Sequence, residues 1–252
     1  MAGLEPYQDE LLGTVTDDGS GNWLNLLAAK GFRIHPHAKG VEFEIKYAPR
    51  SGAHGELGDY AQRLLAPDGL PEAVLAPSWL VFRDTTVEYW LLDDTEWSKQ
   101  RTSHRTDVLK RKTHRIYREP ITGTPLVQST EDFLTDPDRI AAALGDFDGS
   151  AGMMHKSRAK GHYVHLAAGI VFNLVESRCR THETEQIQLE LEYGAHLHHK
   201  SQTPAPACTH AVLRTHLWWL HHLLKPRFDE AGLAPTIERK RDFVQAVRDQ
   251  HT

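Results

Sequence analysis

Residues 41–47, VEFEIKY, and residues 187–193, IQLELEY, decide the fold of this chain, because both alternate between polar and apolar side chains. Successive side chains of a β-strand point to opposite faces, so each segment predicts a strand with one charged and one apolar face. The polar faces carry Glu42, Glu44 and Lys46 on the first strand and Gln188, Glu190 and Glu192 on the second. Each strand therefore needs a core on one side only.

The acidic residues of these two strands predict a metal site. A solvated strand face is seldom so purely acidic, and both apolar faces require a core. We therefore expect the two acidic faces to converge. The four candidate ligands are Glu42, Glu44, Glu190 and Glu192. Carboxylates brought together repel each other unless a cation neutralises them, and hard divalent cations prefer carboxylate oxygens.

The bulk composition indicates an ordinary globular protein. The chain has 252 residues, of which 40% are hydrophobic and 25% charged, and its formal net charge is -5. This length suffices for one large domain or two small ones, and the charge balance argues against a globally basic nucleic-acid binder. A local basic channel stays possible, because the 29 Lys and Arg residues could lie together on a few strands.

The cysteines and histidines predict no separate metal site. Cys179 and Cys208 have no metal-ligand spacing, which favours free thiols in a reducing compartment. The 17 histidines include groups at 196–199 and 221–222, but no carboxylate or cysteine lies at ligand spacing, so we interpret them as linker and helix residues. The N-terminal segment lacks the pattern of a secretory signal, and no apolar run reaches the ~20 residues of a membrane span. We expect an intracellular protein.

Between the two acidic strands the pattern is mainly that of β-structure. Strands are predicted at 79–83, 86–92, 96–105, 107–117, 156–165, 169–176 and 186–193. Helices are predicted at 20–31, 56–66, 136–145, 209–225 with a stop at Pro226, and 236–250 with Thr236 as its cap. About eight strands without alternating helices favour a closed antiparallel sheet. The prediction is one α+β domain, 1–252: a closed antiparallel β-barrel at about 40–195 with helices packed outside.

Basic residues recur in phase on the strands between the acidic ones. They are Lys99, Arg101 and Arg105; Lys110 and Lys112 with His114; Arg111 and Arg115 on the opposite face; and Lys156, Arg158 and Lys160. A single basic strand face is usually only solvated. Inside a closed barrel, however, cations stay charged only beside matching anions. A lumen shared by carboxylates and cations suits a polyanion together with a divalent metal.

Residues 42–46 read Glu-x-Glu-x-Lys, which resembles the ExExK signature of the CYTH, or triphosphate tunnel metalloenzyme, superfamily. Residues 190–192, Glu-x-Glu, resemble its closing acidic strand. The basic segment 156–160, followed by a hydrophobic strand and then 188–192, is similar to the late strands of yeast-type metal-dependent RNA 5′-triphosphatases, which also occur in protozoa and large DNA viruses. The basic residues 110–112 fit the strand before these.

The resemblance covers about residues 40–195 and implies metal-dependent removal of the terminal phosphate of a triphosphate in a tunnel. It assigns Mg²⁺ or Mn²⁺ to Glu42, Glu44, Glu190 and Glu192, one of which would also be the general base. It assigns the phosphates to Lys46, Arg101, Lys110, Lys112, Lys156, Arg158 and Lys160. Two positions depart from the yeast-type pattern: residues 173–175 are Asn-Leu-Val where an acid is usual, and Gln188 lies where a third acid occurs.

The substrate that the resemblance favours is the 5′-triphosphate end of RNA, whose γ-phosphate is removed in the first step of mRNA capping. About forty residues precede Glu42, whereas small-molecule members of the superfamily tend to begin almost at this strand. A capping enzyme would have a guanylyltransferase partner and a nuclear location, and a cytoplasmic location is expected otherwise. Neither membrane association nor recognition of a DNA sequence is expected.

Other functions stay open at this point. The same tunnel could hydrolyse inorganic triphosphate, thiamine triphosphate or nucleoside triphosphates, or could act as an adenylate cyclase. A noncatalytic barrel that binds phosphate or RNA would use the acidic and basic rows as salt bridges, without a metal. An interaction module built on the helix with Trp218 and Trp219 would explain the C-terminal region but not the acidic strands.

Overall fold

A computed structural model describes residues 27–36, 40–50, 55–65, 74–75, 81–92, 95–102, 108–145, 152–165, 169–201 and 209–251. The helix predicted at 20–31 lies mostly outside these ranges. Within them, residues 27–29 are helical, and Gly31 follows with a φ of 94°, in the left-handed region that favours glycine. The predicted glycine stop is therefore in place.

The strands are β1 Phe32–Pro36, β2 Val41–Pro49, β3 Val74–Leu75, β4 Val81–Leu92, β5 Thr95–Thr102, β6 Val108–Arg118, β7 Pro125–Leu134, β8 Gly152–His165, β9 Ile170–Thr181, β10 Thr184–His199 and β11 Leu233–Thr236. The helices are α1 Asp59–Leu65, α2 Pro137–Leu144, α3 His210–Glu230 and α4 Lys240–His251. No helix in the described ranges is long and apolar enough to cross a membrane.

Eight of these strands close into an antiparallel barrel. Their hydrogen-bonded order is β10, β9, β8, β4, β5, β6, β7 and β2, and β2 pairs again with β10. The closing pair joins the two acidic strands, with Glu44 opposite Glu192 and Lys46 opposite Glu190. The predicted fold class, an α+β closed antiparallel barrel of about eight strands with helices outside the sheet, is confirmed.

The main hydrophobic core lies outside the barrel, between the sheet and α3. Phe43, Ile45 and Tyr47 point away from the lumen and are fully buried. The buried residues of α3 that join their cluster are Leu213, Leu217, Leu220, Leu224 and Phe228. A one-residue slip of β2 would turn its apolar face into the lumen, so this core fixes which face is inside. Most of the side chains that face the lumen are polar or charged.

Helix α4 lies across one end of the barrel. Its buried residues pack against lumen-facing side chains of β4, β8 and β9, in a cluster of Val87, Tyr89, Met154, Cys179, Phe243, Val244 and Val247. The approach is close, since a Cβ placed on Gly152 would meet Val244 Cγ1 at 2.7 Å. The side of this barrel end formed by β4, β8 and β9 is therefore covered.

Helix α3 does not stop at Pro226, as the sequence predicts, but continues to Glu230. Phe228 lies beyond the proline, is buried, and stacks on Tyr47 with 4.1 Å between ring centroids. Packing of this last turn therefore outweighs the hydrogen bond that proline cannot donate.

Three other predictions need correction. The last helix begins at Lys240, because Thr236 is the final residue of β11 rather than a helix cap. The strand β7 was not predicted, since its inward residues include Ser129 and Glu131 and its apolar alternation is weak. The strand β10 runs past 193 to His199, so the histidines assigned to a linker lie on a strand.

Candidate metal and phosphate site

The lumen is lined mainly by charged and polar side chains. Its glutamates are Glu42, Glu44, Glu96, Glu190 and Glu192, and its basic residues are Lys46, Lys110, Lys112, His114, Lys156, Arg158, Arg239 and Lys240. A cavity of about 60 Å³ lies between these side chains, which is room for about two water molecules. A phosphate chain can therefore enter only if the side chains exchange their present ion pairs for contacts with it.

Glu42, Glu44 and Glu192 form the candidate metal centre. Each offers one carboxylate oxygen, and these oxygens all lie within 4.8 Å of one another. The register explains their proximity, because Glu44 and Glu192 are direct neighbours across the pair of β2 and β10, and Glu42 is the next residue on the same face. Glu44 Oε1 is buried and accepts no hydrogen bond from the described residues. This set of hard oxygen donors fits Mg²⁺ or Mn²⁺.

Glu190 lies in the same lumen but has different partners. Lys240 of α4 donates a hydrogen bond to Glu190 Oε1, and Lys46 is its neighbour across the strand pair. Burial by itself would raise the pKa of Glu190, but the charges of Lys240 and Lys46 lower it to about 2. Glu190 is thus a persistent anion that balances two lysines, and it lies outside the three-carboxylate group.

Lys112 connects the acidic residues on β2 and β7. Its Nζ lies 2.6 Å from Glu42 Oε2, 3.1 Å from Glu131 Oε1 and 3.7 Å from Glu44 Oε1. Burial acts to lower the pKa of Lys112, but these carboxylates raise it well above its usual value. The pKa of Glu42 lies well below its usual value, because Lys112 and Lys110 overcome the opposing effect of burial. Both groups are therefore charged at neutral pH.

Glu192 is the exception among the lumen carboxylates. Burial is the largest cause that raises its pKa, and the charges of three other glutamates add to it, so that the pKa reaches about 7. Lys160, with Nζ at 3.2 Å from Glu192 Oε2, opposes this shift only in part. A divalent cation would favour the ionised form in the same way, but more strongly.

Asn173 is a neutral neighbour of Glu192 and belongs to the segment 173–175, which departs from the yeast-type pattern by having no acid. Its Nδ2 donates to Glu192 Oε2 at 3.4 Å, and its Oδ1 lies 2.6 Å from His162 Nδ1. Burial and Lys160 lower the pKa of His162 to about 4, so the ring is neutral. The departure at 173 therefore supplies a hydrogen-bond donor to Glu192 instead of a further negative charge.

The part of the lumen next to α4 is basic. Lys156 and Arg158 come from β8, while Lys240 and the preceding Arg239 come from the C-terminal segment. Lys156 is only 8% exposed, and no ion pair joins it to the described residues. Burial, followed by the charges of Arg158 and Lys240, lowers the pKa of Lys156 to about 7. An anion placed here would restore its charge.

The structure brings most of the predicted site residues to the lumen. Those that line it are Glu42, Glu44, Glu190, Glu192, Lys46, Lys110, Lys112, Lys156 and Arg158. Lys160 is 35% exposed and contacts Glu192. Arg101 is not brought to the lumen: β5 turns Glu96, Ser98 and Gln100 inward, so Arg101 is exposed on the outer face.

Sequence reasoning missed several residues of the lumen. They are Glu96, Ser98, Gln100, Arg239 and Lys240, together with Glu131, which pairs with the lumen residues Lys110 and Lys112. Both faces of β5 carry polar residues, so alternation alone does not say which face is inside. The polar series at 96, 98 and 100 was the available signal. Arg239 and Lys240 lie outside the segment that resembles the superfamily, and only the packing of α4 brings them to the site.

Comparisons with known proteins add few constraints. No family model matches the sequence, and no curated protein matches it. Matching solved structures include a putative adenylate cyclase from Bacillus halodurans, with 13% identity, 81% of this chain and 98% of that chain covered, and a TM-score of 0.41. They also include the S. pombe Pct1 RNA triphosphatase in complex with the Spt5 CTD, with 14% identity, 77% and 82% covered, and a TM-score of 0.33. A protein from Pyrococcus horikoshii OT3 matches with 12% identity, 83% and 99% covered, and a TM-score of 0.41. At these scores the likenesses carry no argument about function.

Proposed function

We propose that this protein is a metal-dependent phosphohydrolase that removes the γ-phosphate from the 5′-triphosphate end of RNA. The observation that carries the proposal is the group formed by Glu42, Glu44 and Glu192, whose oxygens lie within 4.8 Å of one another, beside lysines in the barrel lumen. Carboxylates suit a divalent metal, and lysine and arginine suit phosphate oxygens. The lumen therefore offers partners for both parts of a metal–triphosphate complex.

The three carboxylates would hold Mg²⁺ or Mn²⁺, which when bound neutralises phosphate charge and activates a water molecule. Lys112 would exchange its carboxylate partners for oxygens of the terminal phosphate. Lys156 would contact the phosphates nearer α4 and offset the charge that develops on the leaving group. Lys112 would thereby keep an anionic partner throughout the reaction, and Lys156 would gain one when the phosphates bind.

RNA is the proposed substrate because the order of the basic segment 156–160 and the acidic segment 188–192 resembles that of the yeast-type RNA triphosphatases. In this proposal the product is a 5′-diphosphate end, on which a guanylyltransferase would act. A nuclear location follows from that role.

Phosphate release from three substrates tests the proposal. Triphosphate-ended RNA, ATP and inorganic triphosphate would each be incubated with Mg²⁺, Mn²⁺ or a chelator. We expect release from RNA that the chelator abolishes. Equal rates with chelator would contradict the role of a metal, and turnover of only the small triphosphates would favour a hydrolase of inorganic, thiamine or nucleoside triphosphates.

A matched pair of variants separates the metal site from charge in general. Glu44→Gln removes one oxygen ligand with little change of shape. We expect a loss of at least roughly 100-fold in kcat/KM, because substitution of a residue that only hydrogen-bonds to a metal ligand can already cause a loss of that size. Glu88→Gln makes the same exchange on the outer face of β4, because its neighbours Val87 and Tyr89 face the lumen. This control should keep full activity.

The ion pairs of the lumen support a second candidate, a noncatalytic barrel that binds phosphate or RNA. Each predicted metal ligand has a lysine partner: Lys112 for Glu42, Lys46 for Glu44, Lys240 for Glu190 and Lys160 for Glu192. In this candidate Glu42→Ala would leave a buried charge without a partner and destabilise the protein. The unmodified protein would release no phosphate, so the substitution could not reduce activity. Normal folding combined with lost turnover would support the enzyme instead.

A further inference from the structure

A second cavity adjoins the lumen at the end where α4 lies. It has a volume of about 460 Å³, within the range of small-molecule sites. Its lining residues are His114, Ile116, Val127, Ile237, Glu238, Arg239 and Asp242. His114 and Arg239 line the lumen as well, so the two spaces meet at these side chains. We call this second space the side cavity.

The strand pairing explains why the side cavity exists. β2 pairs with β7 only from Val41 to Glu44, and β11 pairs with β2 from Lys46 to Pro49. Beyond Glu44, β11 therefore takes the place of β7 along the edge of β2, and Val127 of β7 is the direct neighbour of Glu44 at this point. The side cavity lies where β7 and β11 part, between Val127 of β7 and Ile237 just after β11, and Asp242 of α4 also lines it. The backbone of Val127 lies about one strand spacing, ~5 Å, from that of Glu44.

The walls of the side cavity suit a different chemistry from that of the lumen. Ile116 is 47% exposed and Ile237 is 44% exposed, and both line the side cavity. Exposed isoleucines at the edge of a polar site offer apolar surface to a ring system. Phosphate oxygens gain nothing from such surface.

The charged groups of the side cavity are arranged by sign. Arg239 and His114 lie where it meets the lumen. Of the two carboxylates, Asp242 is already held by Arg239, at 2.9 Å from Nη2 and Nε. Glu238 is exposed and can accept hydrogen bonds from a hydroxyl or amino group. A ligand with phosphates toward the lumen and an uncharged polar ring system toward Glu238 matches this order.

We infer that the side cavity binds the nucleoside attached to the triphosphate. This inference rests on the proposed function and deepens it: the substrate is a nucleotide, either the first nucleotide of an RNA chain or a free nucleoside triphosphate, and not inorganic triphosphate. Ile116 and Ile237 contact the base, Glu238 accepts from the ribose or base, and Arg239 contacts the phosphate nearest the nucleoside.

The test compares ATP with inorganic triphosphate in variants of the cavity wall. Ile237→Ser removes apolar surface from the side cavity, and Ile121→Ser is the matched control, since Ile121 is 90% exposed on the turn between β6 and β7. We expect Ile237→Ser to lower kcat/KM for ATP by about 10-fold, as for loss of one apolar contact to a substrate, and to leave kcat/KM for inorganic triphosphate unchanged. Ile121→Ser should change neither.

The inference is overturned if Ile237→Ser lowers kcat/KM for both substrates equally, which is expected if the side cavity is only a passage for released phosphate. It is also overturned if the substitution changes neither value. Absence of turnover of triphosphate-ended RNA, ATP and inorganic triphosphate alike in the unmodified protein would instead remove the proposed function. The nucleoside preference is then measured by calorimetry, as the ratio of Kd for inorganic triphosphate to Kd for ATP in the presence of Mn²⁺. A ratio that falls at least threefold in Ile237→Ser supports the side cavity, and an unchanged ratio overturns it.

Discussion

Glu190 and Glu192 lie on the same face of one strand, yet their surroundings shift their pKa values in opposite directions. Burial acts to raise both values. For Glu190, Lys240 and Lys46 overcome burial and lower the pKa to about 2, whereas for Glu192 other carboxylates add to burial and the pKa reaches about 7. The Glu-x-Glu motif therefore contains two groups with different roles, one that balances lysines and one that is available to a metal.

We expect Glu192→Gln to stabilise the protein at pH 8. The folded-state pKa of Glu192 is about 7, above the ~4.3 of an unfolded glutamate, so the folded state holds this proton more tightly. The contribution of Glu192 to stability is then present at low pH and is lost as pH rises through about 7. Removing the charge should raise the free energy of unfolding by about 1–3 kcal/mol at pH 8 and by a smaller amount at pH 5, which is only just above the unfolded pKa. Urea unfolding at both pH values measures this.

Glu190→Gln is the matched control with the opposite sign. The low pKa of Glu190 means that its charged form stabilises the fold. Loss of the charge leaves Lys240 without its anionic partner and should lower the free energy of unfolding by about 3–5 kcal/mol at pH 8. Stabilisation by both substitutions would show that the lumen has only a general excess of negative charge. Destabilisation by both would contradict the assignment of a raised pKa to Glu192.

Among the elements, α3 contributes most to the core outside the barrel. Its buried stripe repeats every three or four residues and packs on the outward side chains of β2, β9 and β10. The sequence predicts this helix over 209–225, but the predicted stop at Pro226 leaves out its last turn. Packing against Tyr47 decides where the helix ends.

We expect Leu217→Ala to lower the free energy of unfolding by about 2–5 kcal/mol, since Leu217 is fully buried under the barrel wall. Thr215→Ala, at an exposed position of the same helix, should change it by less than about 0.5 kcal/mol. Both variants should keep the turnover number per folded molecule, because α3 contributes no residue to the described lumen lining. Equal stability of the two variants would contradict the packing of α3 described above.

In the whole molecule, helices cover the apolar outer face of the barrel wall, and the side chains that face the lumen are mainly polar or charged. The lumen brings together carboxylates from β2 and β10 that the unfolded chain separates by well over a hundred residues. A metal bound by these carboxylates would bind the folded state only, so metal binding and folding would be coupled.

A divalent metal should therefore raise the melting temperature. At a concentration of 100 times Kd, the expected stabilisation is ~2.7 kcal/mol, which corresponds to roughly 5–10 °C for a chain of this size. Thermal unfolding with Mn²⁺ and with chelator measures the shift. Glu44→Gln should abolish it and Glu88→Gln should retain it; a shift of the same size in Glu44→Gln would place the metal elsewhere.

The sequence by itself determined the strand character and the polar face of 41–47 and 187–193, because side-chain alternation is a local property. It also predicted closure into a barrel, since about eight strands without alternating helices favour a closed antiparallel sheet. Only the tertiary structure decided that Glu190 pairs with Lys240, that Arg101 faces outward, and that Glu96 faces inward. These outcomes depend on strand register and on the docking of α4, which are contacts between distant residues that no local pattern specifies.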